Sequence, residues 1–135
     1  MSTPINARTV LVVDDHEEIR VLLREILEER NYRVFEAHNG KAACAEALRN
    51  RIDLVITDLV MPEQEGIETI QMLRELVPGL KIIAISGSPE GSYLRVARHL
   101  GAHEAFRKPF SCHALAGAVD RLLEDPAGVQ TAEST

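Results

Sequence analysis

Val10 to Val13, Leu54 to Thr57 and Ile82 to Ile85 are short apolar runs without polar alternation. An unbroken apolar strand is stable only where both of its faces are covered, which is the situation of an interior strand in a parallel sheet. Helical stripes separate and follow these runs. Ile19, Leu22, Leu23, Ile26 and Leu27 repeat at helical spacing to about Arg30, with Glu17, Glu18, Arg24, Glu25 and Glu28 opposite. Ile67, Ile70, Leu73, Leu76 and Val77 form a second stripe, stopped by Pro78-Gly79. Tyr93, Val96, Ala97 and Leu100 form another before Gly101. Arg33 to Ala37 alternates, as an edge strand with one wet face does, and Asn39-Gly40 breaks it before an alanine-rich helix over Lys41 to Arg49, with Cys44, Ala47 and Leu48 on one side. A short mixed strand at Ala105 to Arg107 reads as the other edge. Leu115, Ala118, Val119 and Leu122 make a last helix, ended by Asp125-Pro126. Successive β-α units require right-handed crossovers. The expected class is therefore α/β, a doubly wound, five-stranded parallel sheet in the order 2-1-3-4-5, with its switch point between the first and third strands. One domain over residues 9–124 is expected, with an arm over 1–8 and a disordered tail over 125–135.

Open sheets of this kind gather ligands at the carboxyl ends of their strands, and the residues found there are chemically selective. The first run ends in Asp14-Asp15 and the third in Asp58, with Met61-Pro62 forcing a turn. The fourth ends in Ser86-Gly87 and the fifth in Lys108-Pro109. Three carboxylates at one edge repel one another, and a bound cation relieves this. Mg²⁺ favours one or two carboxylates with waters and phosphate oxygens, which suits Asp15 and Asp58 as direct ligands and Asp14 through water. Asp58 then keeps one oxygen free as a nucleophile, Lys108 meets a phosphoryl oxygen, and Ser86 offers a hydroxyl. Asp15 with Glu18 also has the form of a capping pair, a role that can coexist with metal binding.

Composition narrows the alternatives. Fifteen Lys+Arg against twenty-one Asp+Glu give a net charge of -6, which disfavours direct nucleic-acid binding. No apolar run approaches the roughly 18 residues of a membrane span, and Met1 to Ala7 has no signal core. Cys44 and Cys112 lack metal-ligand spacing and read as reduced thiols, so a cytoplasmic location is expected. His16, His38, His99, His103 and His113 are scattered and read as structural or solvent-facing. His16, beside the acidic pair, is the one of interest.

In this order and spacing, Asp14-Asp15, Asp58 with Met61-Pro62 and Gly66, Ser86-Gly87, Gly101-Ala102 and Lys108-Pro109-Phe110 resemble the receiver domain of two-component response regulators. The resemblance covers about Thr9 to Glu124, and it is to a stand-alone, chemotaxis-regulator-like receiver, with a receiver belonging to a longer regulator or hybrid kinase as the alternative. It implies a flavodoxin-like (βα)5 fold. By the same resemblance Asp58 accepts a phosphoryl group from a histidine kinase phosphohistidine, or through a phosphotransfer protein, with Mg²⁺ bound. The Val60 backbone carbonyl is then a further metal ligand and the Lys108-Pro109 bond is cis. Ser86 turns toward the acyl phosphate and shifts the surface of the fourth helix, fifth strand and fifth helix, which a downstream protein reads. Such a domain is a signalling module that assists only its own phosphorylation and dephosphorylation.

One position departs from the family pattern. Three residues before the lysine, where the family usually carries Tyr or Phe, stands Ala105, and Phe106 points to the opposite face. The response to phosphorylation is then expected in Gly87 to Gly91 more than around Ala105. Two other function classes are open to the fold. A pure interaction module would not need all the site residues present here. An aspartate-dependent phosphatase or nucleotide-binding protein would want an Asp-x-Asp motif or a glycine-rich phosphate loop, which Gly87 and Gly91 do not make.

Overall fold

A computed structural model describes residues 7–59, 65–87 and 92–124. The elements alternate in chain order: β1 (Thr9–Val13), α1 (Glu17–Glu29), β2 (Arg33–Ala37), α2 (Gly40–Arg49), β3 (Leu54–Asp58), α3 (Glu65–Leu76), β4 (Lys81–Ser86), α4 (Ser92–His99), β5 (Glu104–Arg107) and α5 (Cys112–Leu123). All strand pairs are parallel, and the sheet order is β2-β1-β3-β4-β5, as the apolar runs predict. The Met61-Pro62 turn, the Asp125-Pro126 stop, and most of the arm and tail lie outside the described residues.

Alternation along each strand divides the core into two clusters. Leu11, Val13, Val55, Ile82 and Ala84 face one way, with Ala43 of α2, Ile70 and Leu73 of α3, and Ala97 of α4. Val10, Val12, Leu54, Ile56, Ile83 and Ile85 face the other, with Leu23 and Leu27 of α1 and Leu115, Ala118 and Val119 of α5. On the second face α1 is tied to α5 at the corner leading into β2. There Tyr32 Oη donates to Asp120 Oδ1 at 2.6 Å, and the Arg30 guanidinium pairs with the other oxygen of the same carboxylate. Burial first, and then this bond to Asp120, raise the Tyr32 pKa and keep its hydroxyl protonated.

Several local expectations change. Asp15 does not cap α1. His16 is the N-cap residue and makes no side-chain cap bond; its N–H donates to Asp14 Oδ1 at 2.8 Å, and its ring Nδ1 lies 3.0 Å from the same oxygen. Two caps escaped the sequence reading. Asn39 Oδ1 accepts from Ala42 N at 2.8 Å, starting α2 at Gly40, and Ser111 Oγ accepts from Ala114 N at 3.1 Å, starting α5. Leu22, Leu48, Leu76 and Val96, expected on inward stripes, are exposed. Each lies at the margin of its helix's buried arc, where the roll of the helix on the sheet decides which way a side chain points. Cys44 and Cys112 are free thiols. His103 is structural, its Nδ1 accepting from Ile82 N at 3.1 Å.

Candidate functional site

The interior strands finish at one edge of the sheet, and each delivers a buried polar group there. Asp14 follows β1 directly and is fully buried, Asp58 is the last residue of β3, and Ser86 is the last of β4. The β3–β4 register sets Asp58 opposite Ile85, so Ser86 lies one residue further along the neighbouring strand. Asp14 is held beyond the end of its strand by its N–H, which donates to Ala37 O at 3.1 Å.

The edge strand β5 adds a cation. Lys108 N donates to Ser86 O at 2.8 Å, extending the β4–β5 pairing by one residue, and the Lys108-Pro109 peptide is cis, as the family resemblance implies. The Lys108 side chain crosses the end of β4 to place Nζ 3.1 Å from Asp14 Oδ2 and 3.0 Å from Asp58 Oδ2. Burial alone would lower the pKa of this ammonium. Hydrogen bonding and charge from Asp58, and then from Asp14, outweigh burial and raise it, so Lys108 stays charged.

Asp15 is the outer member of the pair, 36% exposed where Asp14 is fully buried. His16 Nδ1 lies 3.0 Å from Asp14 Oδ1 and 3.2 Å from Asp15 Oδ1. One potential ligand atom from each of Asp14, Asp15, His16 and Asp58 falls within 4.8 Å of the others. Three carboxylates against one ammonium leave a local excess of negative charge. A carboxylate-rich donor set of this kind fits a hard divalent cation. The Val60 carbonyl lies outside the described residues.

Sequence reasoning overlooked a second layer behind the carboxylates. Arg20 on α1 donates through a terminal guanidinium nitrogen to the Asp14 carbonyl at 2.8 Å and pairs through Nε with Glu36 of β2 at 3.1 Å. The signal was faint because Arg20 lies at the border of the apolar stripe of α1, three residues before buried Leu23 and seven before buried Leu27, where a long charged side chain ordinarily runs out to solvent. The Ala105 departure has the geometry expected of it. Ala105 pairs with Ala84, which shares its cluster with Ala97 and Ala102, whereas Phe106 packs on the opposite face.

The family model for the response regulator receiver domain matches residues 10–120. The chain belongs to that family. Among curated relatives, this receiver domain is 32% identical over 114 residues to sporulation initiation phosphotransferase F of Bacillus subtilis, covering 84% of this chain and 92% of the relative. It is 37% identical over 117 residues to chemotaxis protein CheY of Halobacterium salinarum, covering 87% and 98%. Other relatives are longer, and the receiver domain spans 12% of one and 49% of another. Among solved structures it superposes, at a TM-score of 0.76 and 27% identity, on a Burkholderia pseudomallei response regulator with a phosphorylated aspartic acid, calcium ion and citrate. That match covers 93% of this chain and 72% of the other. The receiver domain is thus a two-component signalling module, and among the described residues no helix is long and apolar enough to cross a membrane.

Proposed function

We propose that Asp58 is the phosphoacceptor of this receiver domain, taking a phosphoryl group from the phosphohistidine of a sensor histidine kinase or a phosphotransfer protein. The observation that carries this reading is the placement of Lys108 Nζ between two buried carboxylates at the ligand-gathering edge of the sheet. An Asp58 oxygen attacks phosphorus, an O–P bond forms, the N–P bond of the phosphohistidine breaks, and the departing imidazole nitrogen keeps the electron pair and takes up a proton. Lys108, already bonded to Asp58, is within reach of the incoming phosphoryl oxygens, and Ser86 supplies a hydroxyl from the adjacent strand.

Asp15 and Asp58 would hold Mg²⁺ directly, with Asp14 acting through water and the Val60 carbonyl as a further ligand. The cation supplies charge neutralisation for the transferring group. The chain assists only its own phosphorylation and dephosphorylation and acts in the cytoplasm. A downstream protein reads the α4–β5–α5 surface, with no direct contact to nucleic acid. With Ala105 on that surface, the readout proceeds without an aromatic ring at this position.

The test is intact mass after incubation with a small acyl phosphate. One phosphoryl group should appear with Mg²⁺ and none with a chelator, whereas no gain under either condition would remove the phosphoacceptor reading. The two acids of the pair should also separate by metal titration. Outer-layer groups cost about tenfold in metal affinity when removed, so Asp14→Ala should weaken Mg²⁺ binding on that scale and Asp15→Ala by clearly more. Calorimetric titration ranking them the other way would exchange their roles.

A further inference from the structure

We infer that Arg20, locked by Glu36, is a positioning residue that sets the Asp14–Asp15 peptide and through it the metal-binding reach of Asp15. The inference rests on the proposed role of Asp15, and it concerns how that residue is held.

Asp14 is followed at once by the residue whose carboxylate must stand at the mouth of the site. Asp14 is gripped on both sides of its Cα, through the peptide that precedes it and the peptide that follows it. Its N–H donates to Ala37 O at 3.1 Å, and its carbonyl accepts from Arg20 at 2.8 Å. That carbonyl belongs to the same planar group as the Asp15 nitrogen, so the Arg20 bond orients the plane from which Asp15 departs. Asp15 is more than one-third exposed and has little packing of its own to hold it. Arg20 is itself confined. Its side chain is 16% exposed, and Nε bonds Glu36 Oε1 at 3.1 Å, while Glu36 Oε2 is held by Arg24 at 2.7 Å. Glu36 stands opposite Val12 in the β1–β2 register, so the brace joins α1 to β2 alongside the very strand that ends in Asp14. A planar, fixed fork suits this bridging better than a flexible ammonium.

The sign of the effect distinguishes positioning from simple electrostatics. Arg20 is a cation beside a cation site, so removing its charge should by Coulomb's law tighten Mg²⁺ binding or leave it unchanged. Loss of positioning should weaken it.

The experiment is Mg²⁺ titration of the full chain by calorimetry, paired with backbone ¹⁵N relaxation of the metal-free protein. Arg20→Met should weaken Mg²⁺ binding about tenfold, the scale of lost outer-layer support. It should also lower the order parameters of Asp15 and His16 without changing those of β3. Arg20→Lys, which keeps the charge but replaces the two-point fork with a single ammonium, should recover only a small part of either. Arg24→Met removes a Glu36 ion pair without touching Asp14, and should stay within about twofold of wild type in Mg²⁺ affinity. Unchanged or tighter Mg²⁺ binding by Arg20→Met overturns the inference, as does an equal loss in Arg24→Met. If the wild type itself takes no Mg²⁺, the proposed metal site fails. The relaxation data then still decide the brace, because unchanged order at Asp15 and His16 in Arg20→Met would refute it.

Discussion

Asp58→Asn should take up no phosphoryl group from any donor while remaining folded. The amide matches the carboxylate in shape and can still accept the Lys108 bond, but it offers no anionic oxygen to attack phosphorus. Stability should move in the other direction. Asp58 is buried in a cluster of carboxylates whose mutual repulsion Lys108 offsets through ion pairs to Asp14 and Asp58. Removing one negative charge lightens that repulsion, so Asp58→Asn should melt at or above the wild-type temperature in the absence of metal. Mass measurement and thermal denaturation on the same sample check both halves. A phosphoryl group on the variant at the wild-type rate would show that another residue is the acceptor.

Gly66→Ala should damage both the fold and the site. A Cβ built at Gly66 would lie 2.4 Å from the carbonyl oxygen of Asp58, 2.5 Å from Leu59 Cα and 2.7 Å from Leu59 O. All three are backbone atoms, so no side chain can swing aside. Either α3 must withdraw, pulling Ile70 and Leu73 out of the core, or the end of β3 must shift. Overpacking of this kind costs about 3 kcal/mol. Because the obstructed carbonyl is that of Asp58 itself, whatever protein remains folded carries a displaced acceptor, and phosphoryl uptake should fall about 100-fold. Gly79→Ala is the control. Gly79 has φ +82° but nothing within 4 Å of an added Cβ, so the change should cost only about 1 kcal/mol of backbone strain and leave phosphorylation intact. Equal melting temperatures for the two variants would refute the steric account of Gly66.

The strand ends were legible in the sequence because burial and chemistry coincide there. An apolar run that stops at Asp58 or Asp14 marks both a covered strand and the acid it delivers, and parallel topology carries those ends to one edge. Lys108 was legible from the Lys108-Pro109 pair at the end of a short mixed strand, although only the structure shows it bonded to two carboxylates at once. Exposure of Leu22 and Leu48 was not legible, since hydrophobic periodicity gives the axis of a stripe and leaves its margins to the roll of each helix. The brace was hidden more deeply. Arg20 and Glu36 belong to different elements, sixteen residues apart, and neither looks unusual on its own stripe. The Asn39 and Ser111 caps were readable from residue type, but Asn39 also belongs to the Asn39-Gly40 break, and Ser111 follows Pro109 closely enough to read as loop.

The corner where Tyr32 and Arg30 close on Asp120 has a mechanical consequence. It joins α1 to α5 across 88 and 90 residues of chain, on the face whose cluster also holds Leu23, Leu27, Leu115 and Val119. That half of the molecule should act as a stator. Any rearrangement driven from Asp58 should then be steered into the opposite half, where the described residues between α4 and the sheet include Ala84, Ala97 and Ala102, whose small side chains oppose sliding less than larger ones would. Methyl NMR of the protein with and without a phosphoryl mimic should show Leu23, Leu27, Leu115 and Val119 nearly still while Ala84, Ala97 and Ala102 shift. Tyr32→Phe, which cuts the corner's hydrogen bond, should let the displacement leak across the sheet, so that the far methyls begin to move with the near ones.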